Sequence, residues 1–171
     1  MATTLSAKDR AAARASPSTR GQATPNRPGV TAASWPCLIT SADAELAQWA
    51  GSAAQAAGWS VVSCSSARES LREAVLHEFP LALLDYGGDP SHREALADLL
   101  RMLKSSTGSV QVVCERRPDD GCSGERWARQ SGAWLYLPDV NASSDLTGVC
   151  REARSVVEKL RGPASPSATR A

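Results

Sequence analysis

The chain has 171 residues, a length that suits one domain, and its 42% hydrophobic content is enough for a buried core. Its net charge of +1 is unevenly spread: residues 1–33 carry +4 and the last ten residues +1, which leaves the middle at −4. A mildly acidic middle argues against a nucleic-acid face on the domain, no apolar run approaches the roughly 20 residues of a membrane span, and no apolar h-region follows the N-terminus, so secretion is not expected.

Residues 1–33 show no hydrophobic period and are rich in Ala, Ser, Thr and Arg, broken by Pro17, Pro25 and Pro28. This composition predicts a disordered basic tail, and residues 162–171 predict a second one. Between them short apolar runs alternate with amphipathic segments. The runs are Cys37–Thr40, Trp59–Cys64, Leu81–Asp85, Val110–Cys114 and Trp134–Leu137, each short enough and apolar enough to be a strand buried on both faces.

The first amphipathic segment places Leu46, Trp49, Ala50, Ala53 and Ala57 on one helical face, with Gly58 closing it. The second starts at Ser66, which forms a capping box with Glu69, and its apolar stripe is Leu71, Ala74 and Val75. In the third, Asp89-Pro90 reads as N-cap and first helical residue, with Leu96, Leu99, Leu100 and Leu103 buried. A shorter helix spans Gly124–Ser131, with Trp127 inward and Gly132 at its end. The last helix carries Leu146, Val149, Cys150, Ala153, Val156, Val157 and Leu160 at helical spacing.

Five strand–helix units predict an α/β domain over 34–161: a doubly wound, five-stranded parallel sheet of order 2-1-3-4-5 with helices on both faces. In such folds the chemistry lies at the C-terminal ends of the strands. Those ends hold Thr40-Ser41-Ala42-Asp43, Asp85-Tyr86-Gly87-Gly88, Cys114-Glu115 and Leu137-Pro138-Asp139. Asp43 is expected to cap the first helix. Arg116, Arg117, Arg126 and Arg129 are expected to be a solvated basic cluster near the fourth helix.

Other site chemistries lack their signatures. The cysteines, Cys37, Cys64, Cys114, Cys122 and Cys150, are odd in number and contain no CxxC pair, so buried thiols of a reducing, cytoplasmic protein are expected rather than disulfides or zinc. No metal or cofactor is expected. There is no phosphate-binding GxxxxGK[ST] loop, no GxGxxG and no GxSxG elbow.

The strand-end residues resemble those of the receiver domains of bacterial response regulators. CLITSADAEL (37–46) resembles the first receiver strand, where adjacent acids hold magnesium, and FPLALLDY (79–86) the third, with Asp85 in the place of the phosphoryl acceptor. SVQVVCE (109–115) resembles the fourth strand, which normally ends in Ser or Thr. SGAWLYLPD (131–139) resembles the fifth, with Tyr136 in the slot of the aromatic switch residue. The resemblance implies that Ser41 and Ala42 occupy the acidic-pair positions, that Cys114 replaces the hydroxyl, and that Asp139 stands where a lysine is expected. Only Asp85 remains of the phosphorylation set, because a working site also needs magnesium-binding carboxylates and a cation.

The expected function is therefore a non-catalytic pseudo-receiver, not an enzyme, that binds another signalling protein. The resemblance implies a partner face built on Trp127, Trp134, Tyr136 and the last helix. No nucleic acid or membrane is expected as a partner, and homodimerisation is left open. Two alternatives stand beside this reading: a phospho-accepting receiver that uses Asp85, and a flavodoxin-like binder of a small cofactor or nucleotide.

Overall fold

The structure is a computed structural model that describes residues 34–87, 89–118 and 122–162. The tails expected to be disordered lie outside the described residues, except for Gly162. The elements are β1 (Pro36–Thr40), α1 (Ala44–Ala56), β2 (Ser60–Cys64), α2 (Ala67–Leu76), β3 (Leu81–Asp85), α3 (Pro90–Ser105), β4 (Val110–Cys114), α4 (Ser123–Ser131), β5 (Leu135–Leu137) and α5 (Leu146–Arg161). The five strands pair in parallel in the order β2-β1-β3-β4-β5.

Strand alternation divides the core between the two faces of the sheet. Cys37, Ile39, Leu81, Leu83, Val110 and Val112 pack with Leu46, Ala50 and Ala53 of α1 and with Cys150, Ala153 and Val157 of α5. On the opposite face Leu38, Ala82, Leu84 and Val113 meet Leu96, Leu99, Leu100 and Leu103 of α3 and Ala128 of α4. The continuous apolar runs of β3 and β4 are thus explained: every residue of both strands is buried. The edge strands β2 and β5 are only partly covered.

The helix starts follow the local sequence. The Asp43 carboxylate accepts from Glu45 N at 2.9 Å and Leu46 N at 3.2 Å, and Asp89 accepts from His92 N at 2.8 Å with Pro90 at the first helical position. Ser66 Oγ accepts from Glu69 N at 3.2 Å. The return arm of the capping box is shifted by one residue, since Glu69 Oε2 accepts from Ser65 N at 2.8 Å. Gly58 ends α1 with φ +85, a left-handed conformation that needs no Cβ.

Two stripe assignments fail. Val75 is 70% exposed and Leu160 59% exposed. The inward face of α2 runs through Ala67, Ser70, Leu71 and Ala74, a strict i, i+3, i+4, i+7 set, and Val75 lies beyond it. Ser70 is tolerated in that face because its hydroxyl bonds that of Thr40 at 2.7 Å, both buried. Leu160 belongs to the last turn of α5, where the next residue, Arg161, donates through Nε to Gly108 O at 3.1 Å.

Candidate functional site

The strand ends of β1, β3 and β4 open onto a cleft of about 800 Å³. In a 2-1-3-4-5 sheet the chain winds in opposite directions from β1 and β3, so their loops separate and leave a crevice at that point. Ala42 and Asp43 wall it from β1, Asp85, Tyr86 and Gly87 from β3, and Glu115, Arg116 and Arg117 from β4. The start of α2 contributes Ser66 and Arg68, and the start of α3 contributes Asp89, His92 and Arg93.

Asp85 stands at the base and is 8% exposed. Both of its carboxylate oxygens are used by the chain itself: Ser41 Oγ donates to Oδ2 at 2.6 Å, and Gly87 N donates to Oδ1 at 2.9 Å. His92 Nε2 lies 3.2 Å from the Asp85 carbonyl oxygen. Cys114 is the register partner of Asp85 across the β3–β4 pair. Burial, and then the Asp85 charge, push its thiol up to about 12, so it stays protonated and inert.

The second carboxylate at the rim, Asp43, caps α1 as expected and also has a partner that its sequence neighbourhood does not announce. Arg116, at the end of β4, donates to Asp43 Oδ2 through Nη1 and lies 3.0 Å from Glu45 Oε2 through Nη2. Its guanidinium sits over the Trp49 ring, 4.9 Å from the centroid. Partial burial pushes the Asp43 carboxyl up, but the hydrogen bond from Arg116 and those from the Leu46 and Glu45 amides outweigh it and hold it below its ordinary range. Arg116 was expected to be solvated beside α4; it is instead clamped across the sheet to α1.

The far wall is aromatic and cationic. Tyr86 is buried, packs on Trp127 at 5.1 Å between ring centroids, and carries the Arg93 guanidinium 4.9 Å above its ring. Tyr136 is half-buried on β5. Its hydroxyl donates to Glu115 Oε2, and burial followed by that bond raises the phenol well above its usual range. Asp139 is exposed with φ +53 and is not among the residues that line the cleft. Trp134, at the start of β5, is 44% exposed.

The structure thus brings Ser41, Ala42, Asp85 and Cys114 together and leaves Tyr136, Asp139, Trp127 and Trp134 on or toward the α4–β5 side. Sequence reasoning missed the Arg116 clamp, the Glu115–Tyr136 bond, and the contributions of Arg68, His92 and Arg93. The two arginines and the histidine follow helix-start signals at Ser66 and Asp89, and that placement at a strand end was the available clue.

These features define a class of fold, the flavodoxin-like doubly wound sheet, and comparison narrows it. No protein-family model matches the chain, and no curated protein matches it. Solved structures do. A CheY-like response regulator receiver domain protein from Methanospirillum hungatei is 16% identical with a TM-score of 0.59, over 74% of this chain and 96% of that one. An orphan response regulator of Helicobacter pylori is 13% identical with a TM-score of 0.57, over 74% and 98%. A Burkholderia pseudomallei response regulator with a phosphorylated aspartic acid and a calcium ion is 16% identical with a TM-score of 0.55, over 73% and 72%. The chain has the fold of response-regulator receiver domains.

A divalent cation, which the last of these structures holds, finds no fitting ligand set among the described residues. Among the described residues no group of three or more His, Cys, Asp or Glu side chains could hold a metal ion. Ser41 offers a hydroxyl already turned to Asp85, and Asp43 is bound by a guanidinium.

Proposed function

We propose that this domain is a pseudo-receiver: a signalling module that keeps the receiver fold, does not run a magnesium-dependent phosphorylation cycle, and works by binding another protein. The observation that carries the reading is the state of Asp85. Phosphoryl transfer to a carboxylate needs one free oxygen as nucleophile and a cation to offset the charge that builds on the phosphoryl group. Here Ser41 and Gly87 each donate a hydrogen bond to Asp85, and the rim carboxylate of Asp43 is held by Arg116 and the start of α1 rather than left open to a cation. Cys114 in the hydroxyl slot is a weak donor buried beneath Asp85.

The α4–β5–α5 side is the face assigned to the partner. Trp134 supplies exposed aromatic surface there, beside the half-buried Trp127 and Tyr136, and aromatic anchors dominate protein interfaces. Five unpaired thiols fit a reducing cytoplasm.

The test is incubation of the protein with acetyl phosphate and Mg²⁺, followed by intact-mass measurement. No stoichiometric phosphoryl adduct is expected. An adduct that is lost in Asp85→Asn would overturn the pseudo-receiver reading in favour of a phospho-accepting domain.

A further inference from the structure

The two edges of the sheet are finished differently. β5 is a three-residue edge followed at once by Pro138 and then by Asp139. Shortness, proline and charge are the usual means of keeping an edge strand from pairing with another chain. β2 has none of them: its five residues, Ser60-Val61-Val62-Ser63-Cys64, pair with β1 without a bulge and carry no charge and no proline. The hydrogen bonds to β1 fix which backbone groups face outward. Ser60 N donates to Trp35 O at 2.9 Å and Cys64 O accepts from Ser41 N at 3.1 Å, so Ser60, Val62 and Cys64 turn their N–H and C=O groups toward β1. The intervening residues of a strand turn theirs the other way. Val61 and Ser63 therefore present both groups on the open side, with no partner among the described residues. Just past β2, Ser65 N donates to Glu69 Oε2 at 2.8 Å, which ties one stripe of α2 to this edge. That stripe is Glu69, Arg72, Glu73 and Leu76, at i, i+3, i+4 and i+7, on the side of the helix away from its inward set. Leu76 is 72% exposed, and Arg72 is exposed with no ion pair among the described residues.

We infer that two copies of this chain associate through β2, pairing antiparallel about Val62 as a two-fold dimer whose two five-stranded sheets become one. The register follows from the outward groups. With Val62 opposite Val62, Val61 of each copy stands opposite Ser63 of the other. Each such pair exchanges both N–H···O bonds, as in the hydrogen-bonded pair of an antiparallel ladder. A two-fold centred on Val61 or on Ser63 leaves outward groups unmatched, because Trp59 N is already bonded to Ala54 O and Ser65 N to Glu69. Val61 and Val62 are half-buried on opposite faces of the sheet, and the second copy covers what remains of both. Strand pairing by itself buries less than the roughly 800 Å² per partner of a stable interface. The stripe on α2 supplies further area. The two-fold sets the two stripes antiparallel beside the joined strands, so Arg72 faces the acids at 69 and 73 of the second copy and Leu76 is covered. A second copy is the occupant that meets both the open edge and the mixed charges of this stripe with matching groups. The face assigned to another signalling protein lies at β5, the far edge of the sheet, so the dimer carries two such faces at its opposite ends. The inference does not depend on the state of Asp85.

The test is sedimentation velocity of the full chain over a concentration series, in which a reversible dimer is expected. Ser63→Pro removes an outward N–H without touching the ladder to β1, and by symmetry it deletes a hydrogen bond from each strand pair. The dissociation constant of the dimer should rise by at least about tenfold. Ser63 is exposed, so Ser63→Lys leaves the fold in place and should weaken the dimer in the same direction by setting a solvated charge on the edge. The register is read by cross-linking in a Cys122→Ser background. Opposed residues of a non-hydrogen-bonded pair lie about 4.5 Å apart between Cα atoms, within reach of a disulfide. Val62→Cys should therefore give a disulfide-linked dimer on mild oxidation, and Val61→Cys should not. A chain that stays monomeric throughout the series overturns the inference. So does a dimer that both Ser63 variants leave intact, or one that Val61→Cys cross-links and Val62→Cys does not. A dimer lost in Trp134→Ala but kept in Ser63→Lys places the contact at the other edge and overturns it as well.

Discussion

The Tyr136 hydroxyl donates to the buried carboxylate of Glu115, and the first turn of α4 crosses this pair at Gly124 with no room for a side chain. A Cβ at 124 would press on Glu115 Oε2 and on the Tyr136 hydroxyl far inside ordinary contact distance. β4, β5 and α4 are therefore joined at one point.

Two substitutions at that point should destabilise the domain. Tyr136→Phe removes the hydroxyl donor of a buried carboxylate and should cost about 1–3 kcal/mol. Gly124→Ala should also cost about 1–3 kcal/mol through overpacking. The direction is informative, because helix propensity alone favours Ala over Gly by about 1 kcal/mol. Urea unfolding midpoints measure both; a stabilised Gly124→Ala would show that α4 does not sit on Glu115.

Acid stability should depend on Asp43. Its carboxyl is held below the ordinary value of 3.8 in the folded chain, so near that pH the unfolded chain binds more protons than the folded one. Stability then rises with pH through this region. The contribution is fully present above the unfolded value and is lost as pH falls through the lower folded value. Asp43→Asn should flatten that acid limb, seen as a smaller drop in the urea midpoint between about pH 5 and pH 3 than in the parent. Arg116→Met should flatten it partly, since the backbone amides of Glu45 and Leu46 still lower Asp43.

Thiol reactivity should be confined to one position. Cys37, Cys64, Cys114 and Cys150 are buried and Cys122 is exposed. Burial raises the thiols of all four buried cysteines above the usual range, with Cys114 at about 12 and Cys150 at about 11. A disulfide reagent at neutral pH should label a single cysteine rapidly, and Cys122→Ser should abolish that phase. Fast labelling at Cys114 would mean that the base of the cleft opens in solution.

Core and surface leucine-type positions should separate cleanly. Leu99 is fully buried between α3 and the sheet, and Leu99→Ala should cost about 2–5 kcal/mol. Val75, at 70% exposure, should tolerate Val75→Ala within about 0.5 kcal/mol. Thermal or urea unfolding of the pair checks whether α2 presents the face described here.

The strand and helix pattern could be read from the chain because it is local. Apolar runs of strand length, a stripe at helical spacing such as Leu96, Leu99, Leu100 and Leu103, and caps at Asp43, Ser66 and Asp89 each depend on residues within one or two turns. Their alternation is enough to call for a parallel sheet, and right-handed crossovers leave few strand orders. Asp85 and Ser41 could be singled out because the fold class says that chemistry gathers at strand ends. Only the tertiary structure decided what those side chains do there. Arg116 binds Asp43 across 73 residues of sequence, Ser41 meets Asp85 across 44, and Tyr136 meets Glu115 across 21. No periodicity encodes such pairs, because they form when the sheet closes and brings separate strand ends side by side. The same closure explains the errors at Val75 and Leu160. A stripe tells which side of a helix is apolar, but which of those residues are covered is set by the packing of the whole domain.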